Sequence, residues 1–210
     1  MFKLFVTDDH AVLRKGILSL LANEPDFQVV GQSGSGRDTI RQVLNGDVDI
    51  LVLDLRLPDI SGLDVLQRVK LDKPAVKVVV LTMFSGDDWA LRSLNAGASG
   101  YLTKDMAPDH IVAAIRSIAN GGKYLSPAVG ALFMEKTAMN SGELSHQSLS
   151  NREFGIFLKL AAGVPIARIA EDLCLSPSTV SSYRVRILKK MGMANNADLV
   201  RYAAQHGLFS

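Results

Sequence analysis

The chain has 210 residues, long for one domain and comfortable for two, and 48% of them are hydrophobic, enough to fill ordinary cores. Its net charge of +2 is uneven: residues 1–121 carry 13 Lys/Arg against 15 Asp/Glu, residues 122–148 carry 2 against 2, and residues 149–210 carry 8 against 4, so the tail is the basic part, which attraction to a polyanion requires but which an excess of four does not establish. One cysteine excludes an intramolecular disulfide and a cysteine-based zinc cage, and the lack of any run of about 18 apolar residues, with a start unlike a signal peptide, predicts a cytoplasmic protein without membrane attachment.

Four apolar runs in the first part read as buried strands: Phe2 to Thr7, Val48 to Leu53, Val76 to Leu81 and Ala98 to Thr103. Helices are predicted at about 10–23, 36–44, 63–71, 87–95 and 108–120, a fivefold βα alternation and hence a doubly wound, five-stranded parallel sheet. In such a sheet, ligands bind at the carboxyl ends of the strands. The runs end at Asp8-Asp9, Asp54, Thr82 and Lys104, so three carboxylates, a hydroxyl and an ammonium are expected on one edge. Clustered carboxylates repel one another unless a cation sits among them, and an all-oxygen set with few protein ligands suits Mg²⁺ with its retained waters. Asp54 is then the candidate nucleophile, able to form an acyl phosphate. Lys104 would neutralise phosphoryl oxygens, and the Thr82 hydroxyl would donate to one.

Gly121-Gly122 ends the last of these helices, an apolar stretch from Pro127 to Met134 suggests one linker helix, and 140–148 reads as a flexible connection. Next comes Ser150-Asn151-Arg152-Glu153, a capping box opening a helix to about Ala162. A turn at Gly163-Val164-Pro165 leads to a short helix, Ile166 to Leu173. Cys174, set between two leucines, is expected to be a small buried hydrophobe. Ser176-Pro177 supplies an N-cap and an N1 proline for a third helix running to about Met191. Two short helices around a tight turn fit helix-turn-helix. On the third helix Ile187 and Met191 fall within about 20° of Val180, one on either side, and the three face the core. Ser178, Ser182, Val185 and Lys189 lie opposite, flanked by Thr179, Ser181 and Arg186. Small hydroxyls, one aliphatic side chain and basic flanks suit a major groove. A last helix, 197–205, carries Leu199, Val200, Tyr202 and Ala203 as the expected dimer contact.

The motifs Asp8-Asp9-His10, Leu53-Asp54-Leu55-Arg56-Leu57-Pro58-Asp59-Ile60-Ser61-Gly62, Leu81-Thr82-Met83 and Gly97 to Asp105 give residues 1–121 a resemblance to a response-regulator receiver domain. Residues 149–210, with Ser176-Pro177-Ser178-Thr179-Val180, resemble a LuxR-type helix-turn-helix. Joined through 122–148, they are similar to the NarL/FixJ group of two-component transcription regulators. The resemblance implies that Asp54 accepts a phosphoryl group from a sensor histidine kinase. It also implies that Asp9, Asp54 and the Arg56 backbone carbonyl ligate Mg²⁺, with Asp8 acting through water, and that Thr82 and Tyr101 form a switch pair. Phosphate on Asp54 would draw Thr82 inward and Tyr101 after it, and a homodimer would bind DNA. Arg56 and Phe84 occupy positions that flank the approach of hydrolytic water in receivers, and slow dephosphorylation is expected of them. The positions of Ala167, Ser178 and Asn196 are frequently basic in the family, so phosphate contacts there are not carried over.

A phosphorylation-activated DNA-binding regulator, modified rather than turning over a substrate, is therefore expected. Two alternatives stay open from the residues. An aspartyl-nucleophile phosphohydrolase would share the carboxylate edge, but its usual second Asp two residues past the nucleophile is Arg56 here. A protein-binding signalling module with weakened DNA binding would explain the missing basic positions.

Overall fold

The structure is a computed structural model that describes residues 1–83, 87–125 and 145–208. The chain divides into two compact units, Met1–Thr137 and Ala138–Ser210. The first contains β1 (Phe2–Thr7), α1 (Ala11–Ala22), β2 (Phe27–Ser33), α2 (Gly36–Asn45), β3 (Ile50–Leu53), α3 (Gly62–Asp72), β4 (Lys77–Thr82), α4 (Asp87–Asn95), β5 (Gly100–Thr103) and α5 (Pro108–Ala119). All strands pair in parallel in the order β2-β1-β3-β4-β5. The order reverses between β1 and β3, so the crevice at their carboxyl ends is where this topology places a ligand.

Full burial explains the continuous apolar runs of the central strands. Leu4, Val6, Ile50, Val52, Val79, Leu81 and Leu102 pack with Ile17 and Leu21 of α1 and Ile111, Ile115 and Ile118 of α5. The alternate residues Phe5, Leu51, Leu53, Val78 and Val80 are equally buried and point to the other face, which α2, α3 and α4 cover in a right-handed winding. Gly62 lets α3 start hard against β3: a Cβ there would lie 2.3 Å from the Asp54 carbonyl oxygen and 2.6 Å from Leu55 Cα. No helix among the described residues is long and apolar enough to cross a membrane.

The second unit contains α6 (Asn151–Ala161), α7 (Ile166–Asp172), α8 (Pro177–Met191) and α9 (Asn196–Gln205). Ser150 and Glu153 close the capping box on α6, and Ser176 caps α8 with Pro177 in the first turn. Asn195 and Asp198 form a second capping box on α9, and Gly192 ends α8 in the left-handed conformation at φ 66°. Phe154, Ile156, Phe157, Ile169, Val180, Ile187 and Leu199 make the core.

Three expectations need correction. The end of the supposed flexible connection, Ser145–Ser148, is a 3-10 turn whose His146 is buried, its Nδ1 2.8 Å from the Tyr202 hydroxyl. Cys174 is exposed, not buried, and has φ 51°. It occupies the left-handed position of a helix-ending motif in which the Leu175 amide donates to the Ala170 carbonyl and the Cys174 amide to that of Glu171. On α9, Leu199 and Ala203 are completely buried and Tyr202 is partly buried on His146, leaving Val200 exposed. The suggested linker helix, Pro127 to Met134, lies outside the described residues.

Candidate functional site

The β1 and β3 strand ends bring Asp8 and Asp54 side by side, because the Asp54 amide donates to the Thr7 carbonyl and the Asp8 amide to that of Ser33. Both are buried, at 1% and 3% exposure. Lys104 follows β5, and its amide is tied to the Thr82 carbonyl at 2.9 Å. Its Nζ reaches across to lie 2.6 Å from Asp8 Oδ2 and 2.6 Å from Asp54 Oδ2. The ammonium is aligned to donate to Asp54, whereas with Asp8 it forms an ion pair without hydrogen-bond alignment. Asp54 Oδ1 accepts from the Arg56 amide at 3.3 Å.

Asp9 stands beside this pair, partly exposed, and Asp9 Oδ1 and Asp8 Oδ2 are buried with no hydrogen-bond donor. One carboxylate oxygen from each of Asp8, Asp9 and Asp54, together with a ring nitrogen of His10, lie within 4.8 Å of one another. Three carboxylates in so small a space, with Asp9 Oδ1 buried and undonated, fit a small divalent cation with hard oxygen ligands. Asp8, Asp9 and Asp54 are the carboxylates available to hold such a cation there.

Thr82 ends β4 and is buried, as is Tyr101 on β5. The Arg56 side chain is exposed, and Phe84 lies outside the described residues.

The sequence reading did not single out Asp59. Its carboxylate accepts from the Gly36 amide at 2.8 Å, the Arg37 amide at 2.9 Å and the Ser35 hydroxyl at 2.7 Å. Burial pushes this carboxyl up, but the three donors outweigh it and hold the group below its ordinary range. The loop after Asp54 is thereby pinned to the start of α2. The Pro58-Asp59 step shortly before Gly62 was the available signal. His10 was read only as part of a motif, and its Nδ1 comes to 2.7 Å from Asp9 Oδ1.

On α8, Ser178, Ser181, Ser182, Val185, Arg186 and Lys189 are exposed and Thr179 is half-buried, opposite buried Val180, Ile187 and Met191. The hydroxyls have local partners: Ser182 donates to the Ser178 carbonyl at 3.0 Å, and Ser178 and Thr179 each share a bond with Ser176, at 2.8 and 2.7 Å. The Arg186 guanidinium rests 4.4 Å from the Tyr183 ring centroid.

Residues 4–116 match the family described as response regulator receiver domain, and residues 147–203 match bacterial regulatory proteins of the luxR family. Response regulator GacA of Pseudomonas aeruginosa is 35% identical over 209 residues, 99% of this chain and 98% of that protein. Response regulator UvrY of Escherichia coli is 32% identical over 209 residues, 99% of this chain and 96% of the relative. A solved structure of the RcsB response regulator of Salmonella typhimurium shares the fold, with a TM-score of 0.69 at 24% identity over 97% of each chain. The chain therefore belongs to the NarL/FixJ group of response regulators, in which a receiver domain is joined to a LuxR-type DNA-binding domain.

Proposed function

We propose that this chain is a cytoplasmic transcription regulator whose Asp54 accepts a phosphoryl group from a sensor histidine kinase, and that the phosphorylated form binds double-stranded DNA as a homodimer. The observation that carries this reading is Lys104 Nζ at 2.6 Å from both Asp8 and Asp54, beside the carboxylate of Asp9. That arrangement has the charges needed for phosphoryl transfer before any phosphate arrives.

An oxygen of the Asp54 carboxylate attacks phosphorus in line, an O–P bond forms, and the N–P bond of the donor phosphohistidine breaks with the imidazole leaving. Lys104 moves from the Asp54 oxygen to a phosphoryl oxygen, and the Thr82 hydroxyl donates to another. Asp9 and Asp54, with the Arg56 carbonyl and, through water, Asp8, would hold Mg²⁺, which would supply positive charge to the phosphoryl oxygens. Thr82 and Tyr101 are the switch pair, and phosphate holds both inward. The chain itself is the substrate of the step and is changed by it, so it is not proposed as an enzyme.

In the second unit Val185 meets a base edge, and Arg186 and Lys189 contact phosphates. Ser182 already spends its proton on the Ser178 carbonyl, so toward DNA it acts as an acceptor for a base amino group, while Ser178, Thr179 and Ser181 line the same face. With Leu199 and Ala203 in the core, the outer α9 face of Val200, Ala197, Arg201 and Ala204 is the proposed dimer contact.

Incubation of the full chain with a small acyl phosphate and Mg²⁺ should add one phosphoryl group by intact mass. Asp54→Asn and Asp9→Ala should both abolish it. Equal labelling of Asp54→Asn would refute the assignment.

A further inference from the structure

We infer that Asp59 is a positioning residue for phosphoryl transfer: by tying the loop after Asp54 to the start of α2, it holds the Asp54 carboxylate in the orientation from which it attacks. The inference rests on the role proposed above for Asp54 and deepens it. The loop leaves β3 at Asp54 and closes where the Gly62 amide donates to the Leu55 carbonyl at 2.9 Å. Within it the Arg56 amide donates to Asp54 Oδ1 at 3.3 Å, while Lys104 holds Oδ2 at 2.6 Å. The rotation of the carboxylate is therefore set by the loop on one side and by the ammonium on the other.

Leu55 and Leu57 anchor the base of the loop in the core, but Pro58 is exposed and Asp59, Ile60 and Ser61 are only half-buried. Asp59 fixes this tip. One of its oxygens accepts from the Gly36 amide at 2.8 Å, and the other accepts from the Arg37 amide at 2.9 Å and the Ser35 hydroxyl at 2.7 Å. Unpaired amides at a helix start bind a carboxylate by charge-assisted hydrogen bonds. Gly36 makes the approach close: a Cβ there would lie 2.5 Å from Ile60 Cγ1 and 2.8 Å from Val65 Cγ2.

A second line of bonds returns from α2 to the nucleophile. The Thr39 hydroxyl donates to the Ser35 carbonyl at 2.8 Å, so in its buried 2.8 Å contact with Thr7 the Thr7 hydroxyl is the donor. The Thr7 carbonyl in turn accepts from the Asp54 amide at 2.9 Å. Loop, helix start and strand end thus form a ring around Asp54, and Asp59 joins the loop to the helix. In-line attack needs an aligned oxygen about 3 Å from phosphorus, and a misplacement of about 1 Å costs up to about 100-fold in rate.

The test uses the full chain as wild type, Asp59→Ala, Asp59→Asn, Gly36→Ala and Asp59→Ala with Gly36→Ala. Uptake of phosphoryl from acetyl phosphate with Mg²⁺ is timed by intact mass, at a temperature where Trp89 fluorescence shows the variants folded. Asp59→Ala should lower the maximal uptake rate about tenfold or more, while the half-saturating acetyl phosphate concentration moves by less than about threefold, because Lys104 and the other carboxylates are untouched. Gly36→Ala pushes the tip off the helix from the other side and should slow uptake in the same way. The double variant should be no slower than the slower single one. Asp59→Asn keeps one acceptor oxygen and should fall between wild type and Asp59→Ala; being isosteric, it carries the comparison if Asp59→Ala does not fold. A wild-type maximal rate in folded Asp59→Ala or Asp59→Asn would overturn the inference and leave Asp54 as phosphoacceptor. Effects of Asp59→Ala and Gly36→Ala that multiply in the double variant would overturn positioning through their shared contact. No uptake by the wild type would overturn both the inference and the role of Asp54.

Discussion

Replacing Lys104 with methionine tests the electrostatics of the acidic edge quantitatively. The ammonium, 4% exposed, lies 2.6 Å from one oxygen of each of two buried carboxylates. At an effective dielectric of about 20, each pair attracts by about 6 kcal/mol before desolvation is counted. Desolvation offsets most of that in the intact site, but removing one partner leaves the other charges buried and unpaired, at about 3–5 kcal/mol. Asp8 and Asp54 would also repel each other directly. The chain has one tryptophan, Trp89, buried on α4 of the first unit, so its fluorescence during urea unfolding reports that unit alone. In EDTA, Lys104→Met should lower the unfolding midpoint by about 2 M urea, from a loss of about 3–5 kcal/mol at about 2 kcal/mol per molar. Adding Asp54→Asn to Lys104→Met should recover most of the loss, and saturating divalent cation should recover part of it. A loss below about 1 kcal/mol, or a loss unchanged by Asp54→Asn, would refute the view that Lys104 neutralises this pair.

Two further outcomes are expected in the second unit. Glu153 is buried, which raises its carboxyl pKa, but Lys190 Nζ at 2.6 Å and the Ser150 amide outweigh burial and hold it below the ordinary value of 4.5. Its stabilisation is therefore full above that value and is lost as pH falls through the lower folded one; amide protection in α6 should drop in this acid window, and Glu153→Gln should remove about 1–3 kcal/mol of it at neutral pH. On α8, Lys189→Ala should weaken specific and random DNA alike and lower the salt slope by about one unit, whereas Val185→Lys should change base preference by about 1–3 kcal/mol at the affected pair; a uniform affinity change across a randomised library would show that Val185 reads no base.

Much of the fold was readable because its signals are local. β1, β3, β4 and β5 are continuous apolar runs since both faces are covered, and the caps at Ser150, Ser176 and Pro177 mark helix starts by hydrogen bonds spanning three residues. β2 did not stand out: of the two edge strands it is the one whose burial alternates, leaving Gln28 and Val30 exposed among mixed residues. The convergence of Asp8, Asp9, Asp54 and Lys104 was readable for a topological reason, since parallel strands joined by right-handed crossovers deliver their ends to one edge. What escaped depends on contacts distant in sequence or on side-chain direction. The packing of His146 on Tyr202 joins residues 56 apart, and the clamp of Asp59 on α2 reaches back 23 residues. Leu173-Cys174-Leu175 reads as a buried triplet, yet the end of α7 demands a left-handed residue there, and backbone geometry turned Cys174 outward. On α9 the periodicity gave an apolar face but not what covers it, and the core took Leu199 and Ala203.

The coupling between the two units is the point on which the proposed regulation stands. DNA fragments retained by the full chain from genomic DNA supply a specific site, and its affinity can then be measured with and without phosphorylation, in wild type and Asp54→Asn, at one fixed salt concentration. Phosphorylation should tighten wild-type binding to that site at least about tenfold, corresponding to about 1.4 kcal/mol of coupling, with no change in Asp54→Asn. Equal affinity of the phosphorylated and unphosphorylated wild type would contradict the claim that a phosphoryl group on Asp54 controls DNA binding.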